Sequence, residues 1–331
     1  MVLSLGLFLN VPAVAQEKKE EPGKKMTKKE EHEQALTEAW GFMMSQKMLL
    51  ERAALKFPDL KEVSILVWAE FKKTDMGIGL AGVEALLKEK KGKEWDEYQL
   101  MVLGQMRAKL AKGDMNEDAA KEIVRRVKEM TAAKIPPDVL MVLMSAHPKF
   151  VEGPIEEIKQ GYQRRISSKG MEKAAGVVME MQCPASWKAF GGGTPRMVWK
   201  LQNRAGYGNV VSNFTALKLS EKLPKEEVAA ALKMPTIKKM APQNATLISA
   251  KELTLGGKPA GMLIYDMLNL SNPNERVPFR IVQISCVAKG VLVQLQFAMS
   301  QEKDSDLSLN DVTKLNMPLI QFMAESVKFE G

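Results

Sequence analysis

Val177-Val178-Met179-Glu180-Met181-Gln182-Cys183 is the stretch that divides the chain into two kinds of structure. The two methionines and the cysteine alternate with Glu180 and Gln182, and a period of two places alternate side chains on opposite faces of a β-strand. Upstream of this stretch, apolar residues recur every three to four positions, as in amphipathic helices. The polar sequence Ser167-Ser168-Lys169-Gly170 separates the two patterns and predicts a hinge between two domains.

The first domain is expected to be all-helical and to span residues 27–168. Apolar residues from Ala35 to Ala53 follow the 3.6-residue period, and Pro58 ends that helix because proline cannot continue the hydrogen-bond ladder. Asn116 is predicted to cap a later helix through its side-chain oxygen. Further helices are predicted at 60–89, as one helix or a helix–turn–helix, and at 95–110, 137–144 and 154–166.

The second domain is expected to span residues 171–331. Alternating runs predict strands at 197–201 and 210–219, and a helix is predicted at 225–239. Glycine-containing turns join two predicted hairpins, 247–255 with 262–270 and 280–288 with 291–299. An amphipathic segment at 310–329 closes the chain. Antiparallel strands packed with helices make this an α+β domain, so the predicted fold class is α followed by α+β.

The N-terminus has the pattern of an export signal. Residues 1–15 are mostly apolar and end in Ala13-Val14-Ala15, a small-x-small cleavage pattern, although a basic segment does not precede them. Residues 16–26 are rich in Lys and Glu and are expected to form a charged flexible leader. The prediction is a periplasmic or secreted protein. The alternative is a short hydrophobic tail on a cytosolic protein.

Composition excludes several classes of protein. The 331 residues carry a formal net charge of +8 but contain only two histidines and two cysteines, too few for zinc frameworks or disulfide-dense scaffolds. No apolar run approaches the roughly 20 residues of a membrane span. Basic and acidic residues are interleaved, which argues against nucleic acid as a partner. Peripheral contact with an anionic membrane is compatible with this charge.

No motif predicts catalysis, a metal or a cofactor. Gly77-Ile78-Gly79-Leu80-Ala81-Gly82 matches the dinucleotide fingerprint, but a polar segment separates these glycines from the preceding apolar run, whereas the fingerprint begins at a strand end. Met179, Met181 and Cys183 share a strand face and could bind cuprous copper, but methionine is more often a core residue. The sequence therefore predicts no catalytic site, no metal site and no cofactor.

Cys183 and Cys286 both lie on the apolar face of a predicted strand. In an oxidising compartment they are predicted to form a disulfide, which would stabilise the second domain by about 2–4 kcal/mol. The alternative is two buried free thiols, because cysteine is a common core residue.

Four segments of the second domain carry a family resemblance. They are Lys173-Ala174-Ala175-Gly176, Cys183-Pro184-Ala185-Ser186-Trp187-Lys188, Gly206-Tyr207-Gly208-Asn209 and the ending Ser326-Val327-Lys328-Phe329. The first three resemble the C-terminal domain of a group of exported bacterial proteins. The order of elements and the ending resemble the PsbP-like fold, which includes periplasmic DcrB-like proteins. The resemblance covers about the last 155 residues and implies a non-enzymatic accessory or binding protein. It implies no metal or catalytic ligands.

One loop region combines the residues expected of a recognition surface. Glycine-rich backbone beside aromatic rings and guanidinium groups could accept a planar or anionic ligand. The candidate residues are Trp187, Gly191, Gly192, Gly193, Arg196, Arg204 and Tyr207. The alternative is that Trp187 caps the core and the glycines only turn the chain.

Together these patterns predict an exported, non-enzymatic accessory or binding protein of the bacterial cell envelope. Its partner would be an unidentified envelope protein or a small ligand. Two alternatives are a secreted hydrolase with a site between the domains, which requires a perturbed acid or base near a nucleophile, and an assembly protein that docks through its helical domain, which requires an exposed apolar helix face.

Overall fold

The computed structural model describes residues 26–330 apart from 112, 221–226, 228–229, 235, 269–277 and 302–305. The chain forms two compact units, the first ending at Pro148 and the second starting at Lys149. This division lies before the hinge expected at 167–170, and residues 163–166, which were predicted to end a helix, belong to a strand of the second unit. The predicted signal peptide at 1–15 and the leader up to residue 25 lie outside the described residues.

The first unit is helical, as predicted. Helix α1 contacts the other five helices in this part of the described chain and forms the centre of the unit. Trp40 of α1 is fully buried and donates its Nε1 hydrogen to Glu84 Oε1 at 3.0 Å, and its ring meets that of Trp95 edge-on at 5.7 Å. The helices are α1 (Lys28–Lys56), α2 (Lys61–Phe71), α3 (Asp75–Lys91), α4 (Trp95–Ala111), α5 (Glu117–Lys128) and α6 (Pro137–Ser145).

Local sequence determines where these helices begin and end. Asn116 caps α5 as predicted, its Oδ1 accepting the Ala119 backbone hydrogen at 2.8 Å. The predicted element at 60–89 is two helices, because Thr74 caps a new helix by accepting the Gly77 backbone hydrogen at 3.2 Å. A side-chain oxygen at that position satisfies an N–H group that has no partner within the helix.

The glycines of the 77–82 segment serve helix packing. They lie in α3, where an added Cβ on Gly79 would overlap the Leu143 carbonyl and one on Gly82 would overlap the Ala146 carbonyl. Glycine therefore lets α3 approach the end of α6 more closely than a larger residue would allow. His147, next in the chain, is buried with its Nε2 atom 3.5 Å from Asp75 Oδ1.

The second unit is α+β, as predicted, with its strands in two antiparallel sheets. One sheet has the order β1-β2-β10 and the other the order β3-β4-β5-β9-β8-β7-β6. Its elements are α7 (Pro148–Glu152), α8 (Pro154–Lys159), β1 (Gln163–Ser167), β2 (Met179–Pro184), β3 (Lys188–Gly191), β4 (Met197–Gln202), β5 (Val210–Lys218), β6 (Thr246–Leu255), β7 (Lys258–Leu268), β8 (Pro278–Ala288), β9 (Val291–Ser300), α9 (Leu309–Glu325) and β10 (Lys328–Phe329).

The core of this unit lies between the inner face of the seven-stranded sheet, helix α9 and strand β2. Helix α9 contacts β8, β9 and β2, so it packs against strands of both sheets. Phe214 of β5 and Phe297 of β9 are fully buried in this core. The β8–β9 turn has positive φ at Lys289 and Gly290, the conformation of the primed turns that match the strand twist of hairpins.

The outer face of the same sheet is covered at the β7 side. Ile237, in the 3₁₀ helix Thr236–Met240, packs against Leu263 and Tyr265 of β7. An added Cβ on Gly261 would overlap the Ile237 side chain. The predicted helix at 225–239 falls partly outside the described residues, and the 3₁₀ helix is its described end. Among the residues that the structure describes, no helix is both long enough and apolar enough to cross a membrane.

Candidate functional site

The turn between β2 and β3 rests on a buried carboxylate. Glu157 of α8, only 3% exposed, accepts hydrogen bonds from the Ser186 backbone nitrogen at 2.7 Å and the Ser186 hydroxyl at 2.6 Å. Burial raises the pKa of Glu157 to about 7, against the opposing effect of these hydrogen bonds. The carboxylate therefore acts as a cap for the turn that follows β2.

Glu157 and Ser186 resemble the acid–base pair of an enzyme, but a substrate cannot reach them. A serine hydroxyl 2.6 Å from a carboxylate of raised pKa is what a hydrolase would require. Ser186, however, is only 5% exposed. A substrate could not reach the hydroxyl without unfolding the turn, so the arrangement is structural.

Arg164 of β1 completes the support of the turn. It lies opposite Cys183 in the antiparallel register, and its guanidinium donates to the Trp187 carbonyl. Trp187 itself is 3% exposed and packs in the core. Trp187 is therefore not a surface residue, which corrects its assignment to a recognition surface and agrees with the alternative that it caps the core.

The turn at 203–206 has a strained backbone and contacts the start of β3 on the side opposite Arg164. Arg204 and Ala205 adopt left-handed φ values of 50° and 55°, which are uncommon for residues with a Cβ. The Ala205 backbone nitrogen donates to the Ser186 carbonyl at 2.7 Å. At Gly206, where φ is 96°, an added Cβ would lie 3.0 Å from the Phe190 ring and 3.0 Å from the Lys188 side chain. This turn packs closely against β3.

Phe190 is the exposed aromatic residue at this place in the structure. Its ring is 37% exposed, and the Nζ atoms of Lys188 and Lys200 each lie 5.6 Å from the ring centroid. Phe190 pairs with Lys200 across the β3–β4 ladder, so both side chains lie on the outer face of the seven-stranded sheet. A flat apolar surface between two cations results.

The charge of this end of the sheet is positive. Residues 181–220 contain five basic residues and no Asp or Glu. Among the seven described strands of the sheet, only β6 and β7 hold an acidic residue, namely Glu252 and Asp266. Asp266 is paired with Arg280, with Oδ1 2.7 Å from the arginine Nε. The β3–β5 end of the sheet is therefore suited to a negatively charged ligand.

The other predicted surface residues differ in position. Gly191, the last residue of β3, and Gly193, in the β3–β4 connection, are exposed, and the backbone carbonyl of Gly192 accepts from Lys173 Nζ at 2.8 Å. Arg196 is exposed, whereas Arg204 and Tyr207 are half-buried beside the turn at 203–206. A Cβ on Gly192 would overlap the Met197 carbonyl, so this glycine serves a close backbone approach.

Sequence reasoning did not select Lys188, Phe190 or Lys200. A signal was present for the two lysines, since Lys188 follows a buried residue and Lys200 lies between two, but both neighbours of Phe190 are exposed. It was missed because the two strands are short and the pairing that brings Phe190 beside Lys200 is not visible in either strand alone.

The predicted Cys183–Cys286 disulfide is wrong. Both cysteines are free and fully buried, Cys183 in the three-stranded sheet and Cys286 in the seven-stranded sheet. Burial raises the pKa of Cys183 to about 11 and that of Cys286 to about 12. Thiols with such pKa values are unreactive at neutral pH, and they fill the core as the alternative predicted.

Two further features concern ligands and partners. Among the described residues, no group of three or more His, Cys, Asp or Glu side chains could hold a metal ion.

In the helical unit, Leu55 and Ile65 are exposed and line a groove of about 530 Å³ with Trp68 between α1 and α2. This is the exposed apolar face that the assembly alternative requires, but the described residues do not indicate what would fill it.

No family model and no curated protein sequence matches the chain. Solved structures similar to it include cyanobacterial PsbP from Synechocystis, with 14% identity over 51% of this chain and 93% of that one and a TM-score of 0.34. The Ran-binding protein Mog1p of Saccharomyces cerevisiae has 9% identity over 50% of this chain and 94% of that one, also with a TM-score of 0.34.

A protein of unknown function from Pseudomonas aeruginosa, PA94, has 11% identity over 43% of this chain and 85% of its own, with a TM-score of 0.24. A PsbP structure is thus among the solved structures to which the chain is similar. These likenesses concern the fold and imply no partner or activity.

Proposed function

We propose that the chain is an exported, non-enzymatic binding protein of the bacterial cell envelope that recognises an anionic partner through the outer face of its seven-stranded sheet. The observation that carries the proposal is Phe190, exposed between Lys188 and Lys200. Aromatic rings flanked by cations combine apolar contact area with attraction for anions. The acid-free sequence from 181 to 220 supports the sign of the partner's charge.

The non-enzymatic part of the proposal rests on accessibility. The described residue pair closest to a catalytic arrangement, Glu157 with Ser186, is buried. The charged groups beside Phe190 are the half-buried Lys188 and Lys200, whose ammonium groups attract and orient anions but do not themselves form an acid–base pair. Binding is the chemistry that this surface performs best.

A binding experiment tests the surface. The purified chain is titrated with poly-L-glutamate, polygalacturonate, inorganic polyphosphate and phosphatidylglycerol vesicles, at low and physiological ionic strength. We expect at least one of these probes to bind and the double variant Lys188→Ala, Lys200→Ala to weaken its affinity about tenfold or more, because charge-assisted contacts are lost. Lys251→Ala, in β6 at the opposite edge of the sheet, is the matched control.

Two results would contradict the proposal. The surface is wrong if no probe binds, or if the double variant binds every probe as the wild-type chain does. The location is tested separately by fractionating cells that produce the full-length chain with a C-terminal tag, and recovery in the cytoplasmic fraction alone would exclude export.

A further inference from the structure

The outer face carries a row of side chains that crosses the sheet at right angles to the strands. Phe190 pairs with Lys200, Lys200 with Asn213, and Asn213 with Gln296 in the ladders of β3, β4, β5 and β9. Because paired residues lie on the same face, neighbouring side chains in the row are separated by the strand spacing of about 4.8 Å. We call Phe190, Lys200, Asn213 and Gln296 the outer strip.

The amides beside and within the outer strip retain hydrogen-bonding capacity. Gln296 donates from Nε2 to Gln283 Oε1 at 2.8 Å, and Gln294 accepts from the Thr215 hydroxyl at 3.4 Å. The contacts that the structure describes use the nitrogen of Gln296 and the oxygen of Gln294. The Asn213 Oδ1 atom is buried and has no hydrogen-bond partner among the described residues, so a ligand on this face does not reach it. A ligand with both donors and acceptors would pair with the remaining amide groups of Gln294 and Gln296.

The strip is therefore built from three kinds of group in a fixed order: an exposed ring, a cation and a series of amides. An aromatic ring offers a flat apolar surface for the C–H face of a sugar ring, and amides pair with hydroxyl groups as donor and acceptor at once. The cations Lys188 and Lys200 select ligands that also carry negative charge. Amide groups at regular spacing suit a polymer whose hydroxyl groups also recur at regular spacing.

We propose that the outer strip binds a strand of acidic polysaccharide, laid across β3, β4, β5 and β9 with a sugar ring on Phe190. This assignment rests on the proposed binding function and specifies its ligand class. An anionic membrane is a less suitable occupant, because Asn213, Gln294 and Gln296 are half-buried on a strand surface rather than protruding from it. An acidic peptide would use the lysines but has no repeated hydroxyl groups for the amides.

The test separates the contribution of the amides and the ring to binding from the contribution of the charge. Affinities are measured for polygalacturonate, for uncharged dextran and for poly-L-glutamate, with the wild-type chain and the variants Gln296→Met and Phe190→Leu. We expect each variant to weaken polygalacturonate binding about fivefold, the equivalent of one hydrogen bond or ring contact, and Gln296→Met to leave poly-L-glutamate binding unchanged. Gln163→Met, at the exposed first residue of β1 in the other sheet, is the matched control for the amide.

The possible results distinguish this assignment from the proposed function. If polygalacturonate and poly-L-glutamate bind equally and only the lysine variants matter, the binding surface is correct and the polysaccharide assignment is overturned. Stronger binding to phosphatidylglycerol vesicles than to polygalacturonate overturns it as well. If polygalacturonate, poly-L-glutamate, inorganic polyphosphate and the vesicles all fail to bind, both proposals fail. Circular dichroism melting curves establish that each variant is folded, so that a lost affinity is a property of the surface.

Discussion

The two faces of the seven-stranded sheet are made by the same strands but have different properties. On β9, Phe297 is fully buried in the core, while the adjacent Gln296 lies on the outer face in a row of polar side chains. The inner face holds the fold together by removing apolar area from water. Outside the part that Ile237 covers, the outer face buries less apolar area, and in our proposal this uncovered part binds the ligand. Alternation along a strand thus separates stability from recognition at the level of single residues.

The largest difference between the faces is expected from Phe297→Ala. Truncating a fully buried phenylalanine loses its transfer free energy and leaves a cavity between the sheet and α9, so the free energy of unfolding should fall by about 3–5 kcal/mol. Urea denaturation followed by circular dichroism measures the change. A loss below about 1 kcal/mol would mean that the inner face is not the core described here.

Next in size is the pH dependence that Glu157 imposes on the second unit. Its pKa in the folded state, about 7, lies above its ordinary value of 4.5, so the folded chain binds the proton more tightly than the unfolded chain. This stabilising contribution is fully present below pH 4.5 and is lost as the pH rises through 7. The free energy of unfolding should therefore fall by about 3 kcal/mol across that window.

Glu157→Gln provides the comparison, because a neutral amide cannot titrate. The pH-dependent difference between this variant and the wild-type chain should follow the titration of Glu157. Glu156→Gln is the matched control, since Glu156 is the neighbouring carboxylate and its pKa is lowered by Lys159. Parallel stability curves for Glu157→Gln and the wild-type chain between pH 4.5 and 7 would contradict the raised pKa.

Gly261→Ala tests the part of the outer face that is covered. The added methyl group would overlap Ile237 and lie 3.1 Å from the Leu232 carbonyl, so we expect a loss of about 1–3 kcal/mol in the free energy of unfolding. Thermal denaturation monitored by calorimetry measures this effect. An unchanged melting temperature would show that the segment around Ile237 does not pack on the sheet.

A smaller effect is expected from Gln296→Ala on the part of the outer face that carries the strip. The side chain donates a hydrogen bond to Gln283, which also accepts from the Tyr265 hydroxyl at 3.1 Å, so the loss should be below about 1 kcal/mol. The urea titration used for Phe297→Ala gives a direct comparison of adjacent residues. Equal losses from the two variants would remove the distinction between the faces.

The smallest effect is expected from a reducing agent. Because Cys183 and Cys286 are free and buried on different sheets, the unfolding transition should be the same with and without reductant. Thiol titration should find no reactive thiol in the folded chain and two after denaturation without reduction. If the thiols of the denatured chain become reactive only after reduction, the two cysteines form a disulfide and this prediction is wrong.

Local features of the fold could be predicted because they depend on residues close in sequence. Pro58, Asn116 and the glycines of the hairpin turns act on their own backbone, and the predicted elements around them agree with the structure. The strand β1 could not be predicted in this way. Gln163–Ser167 has little apolar alternation of its own and becomes a strand by pairing with β2.

The candidate site also has features that could be predicted from local sequence and features that depend on tertiary contacts. The sequence identified the region from Trp187 to Tyr207 as unusual from its glycines, aromatic residues and basic charge. It did not show that Trp187 lies in the core, because the contact that fixes its carbonyl comes from Arg164 on another strand. It did not select Phe190, whose exposure between two lysines depends on the β3–β4 register.

The sequence by itself determined the helical and α+β regions, most helix caps and turns, and the positive charge of residues 181–220, since these depend on composition and short-range periodicity. Only the tertiary structure decided the division at Pro148, the burial of Glu157 under Ser186, the separation of the two thiols and the outer strip. Each of these depends on strand pairing or packing between residues distant in sequence, and period alone does not specify which strands will meet.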